Sequence, residues 1–112
     1  ILTIEDKRAN PPPEKSRDLP EIFLSGAVHG NERVGPTAVV ETARQLLAAA
    51  HCESLPHGQA PLPNDPPERR EEWNVRLDEA KVCREELRDR GVDDGARQWL
   101  ARLVSTRCIV IL

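Results

Sequence analysis

One segment of the 112-residue chain restricts its fold more than any other: a short apolar run, a glycine-containing loop and an amphipathic helix. Residues 21–28 are mostly apolar on both faces and lie between Pro20 and Gly30. This pattern predicts a buried strand of a parallel or mixed sheet. We expect Pro36 at the first helical position, where its missing N–H costs no hydrogen bond. A strand, a short loop and a helix are the beginning of an α/β unit.

The first helix is predicted over residues 36 to about 50, because apolar residues recur there at helical spacing. Its inner face consists of Val39, Ala43, Leu46, Leu47 and Ala50. Residues 1–7 alternate weakly between apolar and polar, which predicts a short strand at a sheet edge. Residues 108–112 are apolar and rich in β-branched side chains, which predicts a second buried strand.

Two more helices are predicted between these elements. Residues 65–68 resemble a capping box with Asp65 as N-cap and Pro66 opening a charged helix that ends near Gly91. Asp93 or Asp94 caps a shorter helix. The apolar stripe of the charged helix lasts only about two heptads, which favours a solvated face over a coiled coil. The stripe consists of Trp73, Leu77, Ala80, Cys83 and Leu87, and the shorter helix's inner face of Ala96, Trp99, Leu100, Leu103 and Val104.

The remaining segments are predicted to be irregular. Three consecutive prolines make residues 10–18 an exposed loop, and five prolines make residues 51–67 a linker or insertion. The chain contains no methionine, and its last apolar run stops at Leu112 without a turn signal. We therefore expect a piece of a longer protein.

Composition excludes several classes of function. A formal net charge of -3 and a pI near 5.6 give no electrostatic footprint for nucleic acid. No apolar run reaches the length of about 18 residues that a membrane span needs. The cysteines form no CxxC pair, so they predict neither a metal knuckle nor a redox pair and allow at most one disulfide. We expect Cys83 and Cys108 to be small core residues, with Cys52 open to exposure at a helix end.

His29 and Glu32 are the candidate metal ligands. They lie in the loop after the predicted strand, and ligands of α/β sheets collect outside the carboxyl ends of strands. An imidazole nitrogen and a carboxylate oxygen at this spacing can point at one Zn²⁺. Gly26 is expected to allow close packing near the strand end, and Gly30 a positive φ between the two ligands. A catalytic zinc takes three protein ligands, and this segment supplies two.

Residues 23–36, Phe-Leu-Ser-Gly-Ala-Val-His-Gly-Asn-Glu-Arg-Val-Gly-Pro, resemble the first zinc-binding motif of the M14 zinc carboxypeptidases. The resemblance covers residues 21–50. It implies that His29 and Glu32 bind one Zn²⁺, and that the fold is an incomplete three-layer α/β/α sandwich around a mixed sheet. It also implies that the intact protein hydrolyses C-terminal residues from peptides or proteins.

By this resemblance, residues 1–112 are the N-terminal portion of such a domain, with a Pro-rich and charged insertion at about 51–91. The family's third ligand, its glutamate base and its substrate-binding arginines would lie beyond Leu112. We therefore expect no catalytic residue within this chain and no activity of the chain alone. His51 and His57 lie too early in the chain to complete the site, and Arg33 is expected to be a solvated loop residue.

Two alternatives remain. The aspartoacylase and succinylglutamate desuccinylase group carries a similar His-Gly-Asn-Glu turn and cleaves N-acyl amino acids. A non-catalytic α/β scaffold could also retain the motif as a remnant. An extracellular location is slightly favoured over a cytoplasmic one, while the oligomeric state and the side-chain preference are not predicted.

Overall fold

The computed structural model describes residues 1–6, 19–31, 33–56 and 59–112. In these ranges the chain forms three strands and three helices. Their order is β1 (Leu2–Ile4), β2 (Glu21–Leu24), α1 (Val34–Ser54), α2 (Pro67–Asp89), α3 (Asp94–Thr106) and β3 (Cys108–Ile111). The predicted loop at residues 10–18 lies outside the described ranges.

The strands form one mixed sheet in the order β1–β3–β2, with β3 antiparallel to β1 and parallel to β2. The last element of the chain is therefore the centre of the sheet, and the predicted edge position of β1 is confirmed. Two backbone hydrogen bonds extend the pairing of β2 and β3. The N–H of Cys108 donates to the carbonyl of Pro20 at 3.2 Å, and that of Leu112 to Leu24 at 3.0 Å.

Helices α1 and α3 cover one face of the sheet. The buried cluster there combines strand and helix residues, namely Ile4, Ala43, Leu46, Val104, Ile109 and Ile111. Because side chains alternate along a strand, Phe23 and its partner Val110 lie on the opposite face, where Phe23 is 61% exposed. Within the described ranges no helix covers that face. The α/β class and the mixed sheet are confirmed, but only two layers of the expected sandwich are seen.

Strand β2 is shorter and more exposed than expected. The predicted buried strand over residues 21–28 ends at Leu24, and its residues alternate between exposed and half-buried. Val28 is 74% exposed. The reason is topological, since β2 is an edge strand with one bare face, whereas the apolar pattern predicts burial on both faces.

Helix α1 extends beyond both predicted ends. It begins at Val34, so Pro36 is the third helical residue, which is tolerated because the first four N–H groups have no partner within the helix. It ends at Ser54, so the first residues assigned to the linker are helical. The predicted inner residue Leu47 is 50% exposed, whereas Ala49 and Cys52 are fully buried, because this part of the helix packs on α2.

Helix α2 packs on α1 and α3 through a second buried cluster of Ala49, Cys52, Leu87 and Val92. The predicted capping box is wrong, because the helix begins at Pro67 with Pro66 as N-cap. The Asp65 carboxylate instead accepts a hydrogen bond from the N–H of Leu62 at 2.6 Å and one from Arg69 at 3.3 Å. Leu77, expected on the inner stripe, is 44% exposed.

Helix α3 begins as predicted, because the Asp93 carboxylate accepts a hydrogen bond from the N–H of Ala96 at 2.8 Å. The predicted inner face of α3 is partly wrong, since Ala96 and Trp99 are exposed and Arg97 is buried. Arg97 donates to Glu53 of α1 and to Asp94, both at 2.5 Å. These ion pairs explain how a charged side chain occupies a helix interface.

A disulfide between Cys52 and Cys83 joins α1 to α2, with Cα atoms 5.7 Å apart and a sequence separation of 31. Cys52 is fully buried, so the expected exposure is wrong, and Cys83 is a disulfide partner rather than a simple core residue. Cys108 is a half-buried free thiol. Burial, followed by the nearby charges of Glu5 and Glu21, raises the pKa of this thiol.

Candidate metal centre

The loop between β2 and α1 carries the candidate site. His29 is exposed in this loop, after the carboxyl end of β2. Because β2 and β3 are parallel, their carboxyl ends lie at the same edge of the sheet, which is the usual place for ligands in such folds. His29 lies between a strand and a helix, as predicted, but β2 ends at Leu24 and so does not lead directly into it.

Two glycines bring the ends of the loop together. A Cβ atom on Gly26 would lie 2.6 Å from the carbonyl oxygen of Gly35 and 2.8 Å from a methyl group of Val39. A Cβ atom on Gly35 would overlap the carbonyl oxygen of Gly26. The backbone at the strand end therefore packs directly on the first turn of α1, and only glycine fits at either position. The expected role of Gly26 is confirmed, whereas the matching role of Gly35 was missed.

Gly30 does not have the expected positive φ. Among the described glycines only Gly91, in the turn after α2, has one, at 84°. A Cβ atom on Gly30 would meet nothing within 4 Å. The loop therefore turns at residue 30 without a left-handed conformation, and its close contact is made by the glycines at its two ends.

The other candidate residues fall at different places. Glu32 and His57 lie outside the described ranges, so the pairing of His29 with Glu32 stays a prediction. Arg33 is exposed at the N-cap of α1, as expected of a solvated residue. His51 lies near the other end of α1, about 25 Å along the helix axis from Val34, too far to share an ion with the loop.

The described residues do not form a complete metal site by themselves. In residues 1–6, 19–31, 33–56 and 59–112, no group of three or more His, Cys, Asp or Glu side chains is placed to hold a metal ion. In the same ranges, no helix has the length and apolar character needed to cross a membrane.

Comparison with known families decides the origin of this segment. The family model described as zinc carboxypeptidase matches residues 1–59, just over half of the chain. The chain belongs to the zinc carboxypeptidase family. The match contains β1, β2, the loop with His29 and Glu32, and all of α1. No curated protein and no solved structure matches the chain. This zinc-dependent peptidase family implies peptide substrates at the level of the family.

Proposed function

We propose that His29 and Glu32 are two of the three protein ligands of one catalytic Zn²⁺, and that the intact protein is a metallocarboxypeptidase. Its substrate would be the C-terminus of a peptide or protein. The observation that carries the proposal is the family match across the His-Gly-Asn-Glu loop. It is supported by the position of His29 after the carboxyl end of β2.

The donor set fits zinc, since an imidazole and a carboxylate are both common zinc ligands and two histidines with one glutamate are a known catalytic set. When bound, the ion polarises the scissile carbonyl and lowers the pKa of its water. The chain's own contribution is to hold its two donors. The contact between Gly26 and Gly35 closes the loop and limits the entropy lost when His29 and Glu32 bind together.

We further propose that residues 1–112 are the N-terminal portion of the domain, with an insertion at about 51–91. The family match ends at residue 59, and α2 follows it as a helix with only Ala80 and Leu87 buried. The third ligand, the glutamate base and the arginine for the substrate carboxylate would come from elsewhere in the intact protein. The chain alone should bind zinc weakly and hydrolyse no peptide.

An extracellular location is the proposal that the cysteines favour. Disulfides persist in oxidising compartments and are rare in the cytosol, and Cys52 and Cys83 are joined in this structure. Mass spectrometry of the protein from its native source, after alkylation without reductant, tests this. Recovery of the disulfide-linked peptides supports secretion. Recovery of Cys52 and Cys83 in alkylated form contradicts it.

The test of the activity compares substrates on a longer protein that contains residues 1–112. Release of the C-terminal residue from a blocked peptide, abolished by a chelator and by His29→Ala, would support the proposal. His51→Ala is the matched control and should keep the activity. Cleavage of N-acyl amino acids instead of peptides would favour the aspartoacylase-type alternative. Unchanged zinc content in His29→Ala would favour the scaffold.

A further inference from the structure

Helix α2 has an apolar stripe that does not contribute to its packing on α1. Val75 and Val82 lie seven residues apart on one face and are 57% and 53% exposed. Together with Leu55 and Cys83 they line a groove of about 670 Å³ between α2 and the end of α1. Single exposed valines are common on protein surfaces, but here two of them line the same groove.

Apart from His51, the ionisable residues that line this groove are all acidic. Asp78, Glu79 and Glu86 border it, and each of these side chains is exposed. Among the described residues that line the groove there is no Lys or Arg. The helix as a whole carries both positive and negative side chains. The groove is therefore a place where acidic side chains surround an apolar surface.

We propose that this groove binds a basic amphipathic segment of a partner protein, with aliphatic side chains on the valines and Lys or Arg beside the carboxylates. A helix that lays its apolar face into a groove is a common mode of recognition, and opposite charges at the rim favour the encounter and set the orientation. A second copy of this chain fits less well. Two copies joined through this face would bring Asp78, Glu79 and Glu86 close to their own counterparts.

The groove is independent of the candidate metal centre. It lies on α2, which begins after the last residue of the family match, and at the end of α1 that is remote from His29. The inference therefore does not rest on the proposed peptidase activity. Loss of zinc binding should leave the groove unchanged, and loss of the groove should leave zinc binding unchanged.

The experiment titrates the chain with a synthetic helical peptide of about two heptads, with Leu on one face and Lys on the other. Binding is followed by chemical-shift changes of backbone amides. A peptide of the same pattern with Glu in place of Lys is the charge control. We expect the basic peptide to shift the amides around Val75, Val82 and Leu55, the acidic one not to bind, and the affinity to fall with added salt.

Two pairs of variants test the location of the bound peptide. Val82→Ser should weaken binding of the basic peptide about tenfold, because it removes an apolar contact without adding charge, whereas Val40→Ser, at an equally exposed valine of α1, should not. The double variant Asp78→Asn/Glu79→Gln should weaken binding of the basic peptide several-fold. Glu85→Gln is the control and should bind the peptide as the unchanged chain does. Equal affinities within either pair, binding of the acidic peptide, or a dimer of the chain that Val82→Ser dissociates would overturn the proposal.

Discussion

The junction of β2 with α1 and the helix α2 are held in place by different means. At the junction, Gly26 and Gly35 pack backbone against backbone, and β2 is paired along its length with the central strand. Helix α2 has 23 residues, of which only Ala80 and Leu87 are buried, and a disulfide links it to α1. The junction lies in the part that matches the zinc carboxypeptidase family, and α2 lies beyond it.

The difference shows where sequence changes can be accepted. At the junction, two residues without side chains determine how the loop carrying His29 leaves the sheet, so almost any substitution there creates a steric clash. On α2, most positions face solvent, and a covalent bond with a few apolar contacts suffices to hold the helix. The second region can therefore vary its surface, including the acidic groove, without disturbing the first.

The largest expected effect on stability comes from removing the disulfide, and it should differ between the two regions. Replacing Cys52 and Cys83 by Ser should lower the free energy of unfolding by about 3–4 kcal/mol, because a closed loop of this length restricts the unfolded chain. Hydrogen exchange should accelerate most along α2 and less around Gly26. Uniform acceleration across both regions would contradict the idea that they are held independently.

The second prediction concerns the glycine contact. Gly26→Ala should destabilise the fold by about 1–3 kcal/mol, since the added methyl group overlaps Gly35 and Val39 in a packed site. Gly30→Ala is the matched control, because a Cβ atom there meets nothing within 4 Å and φ is not positive. Urea unfolding measures both variants. Equal stabilities would show that the contact does not constrain the loop.

The third prediction concerns the ion pairs of α3. Arg97→Ala should cost about 2 kcal/mol, because Arg97 is buried and donates to Glu53 and Asp94, and hydrogen bonds to charged groups are among the stronger ones. Arg102→Ala removes an exposed arginine of the same helix and should cost much less. Thermal unfolding of both variants is the measurement, and similar losses would refute a specific role for Arg97.

A smaller effect is expected at the N-cap of α3. Asp93→Ala removes the acceptor for the N–H of Ala96 and should cost about 1 kcal/mol. Asp93→Ser keeps a capping oxygen and should recover most of this loss. If Ser were as destabilising as Ala in chemical denaturation, the loss would not come from capping.

The smallest expected effect is a dependence of stability on pH in the acidic range. Hydrogen bonds from Arg97 and then from Arg88 lower the pKa of the exposed Asp94 carboxyl. Its contribution to stability is therefore complete above the unfolded pKa of about 3.9 and is lost as the pH falls through the lower folded pKa. Urea midpoints between about pH 5 and pH 2 should fall less steeply in Asp94→Asn than in the unchanged chain. Identical slopes would contradict this pairing.

Local sequence patterns predicted the helices and strands. Most of the wrong predictions concern burial, which depends on tertiary contacts. Helical periodicity located all three helices, and Asp93 was among the two residues expected to cap the last one. The prediction that β2 is buried was wrong, because an apolar pattern cannot reveal that a strand lies at the edge of a sheet. The exposure of Leu47 and Trp99 depends on how α1, α2 and α3 pack on each other, which no single segment encodes.

The candidate site was predictable to a similar degree. The His-Gly-Asn-Glu sequence and its place between a strand and a helix led to the prediction that His29 and Glu32 bind zinc, and this assignment stays a prediction. Pro36 was used as a helix start but Gly35 was given no role, whereas Gly35 packs directly on Gly26. The disulfide could not be predicted, because three cysteines allow three pairings and only the packing of α1 against α2 brings Cys52 and Cys83 together.

The central claim, that the loop after β2 carries zinc ligands, is tested most directly by a Zn²⁺ titration of the chain with NMR detection of the histidine rings. His29, His51 and His57 report separately in one sample. We predict that the His29 ring signals change with weak affinity, that Glu32→Gln abolishes the change, and that His51 responds little. A response of His51 or His57 without His29, or a His29 response that survives Glu32→Gln unaltered, would contradict the account.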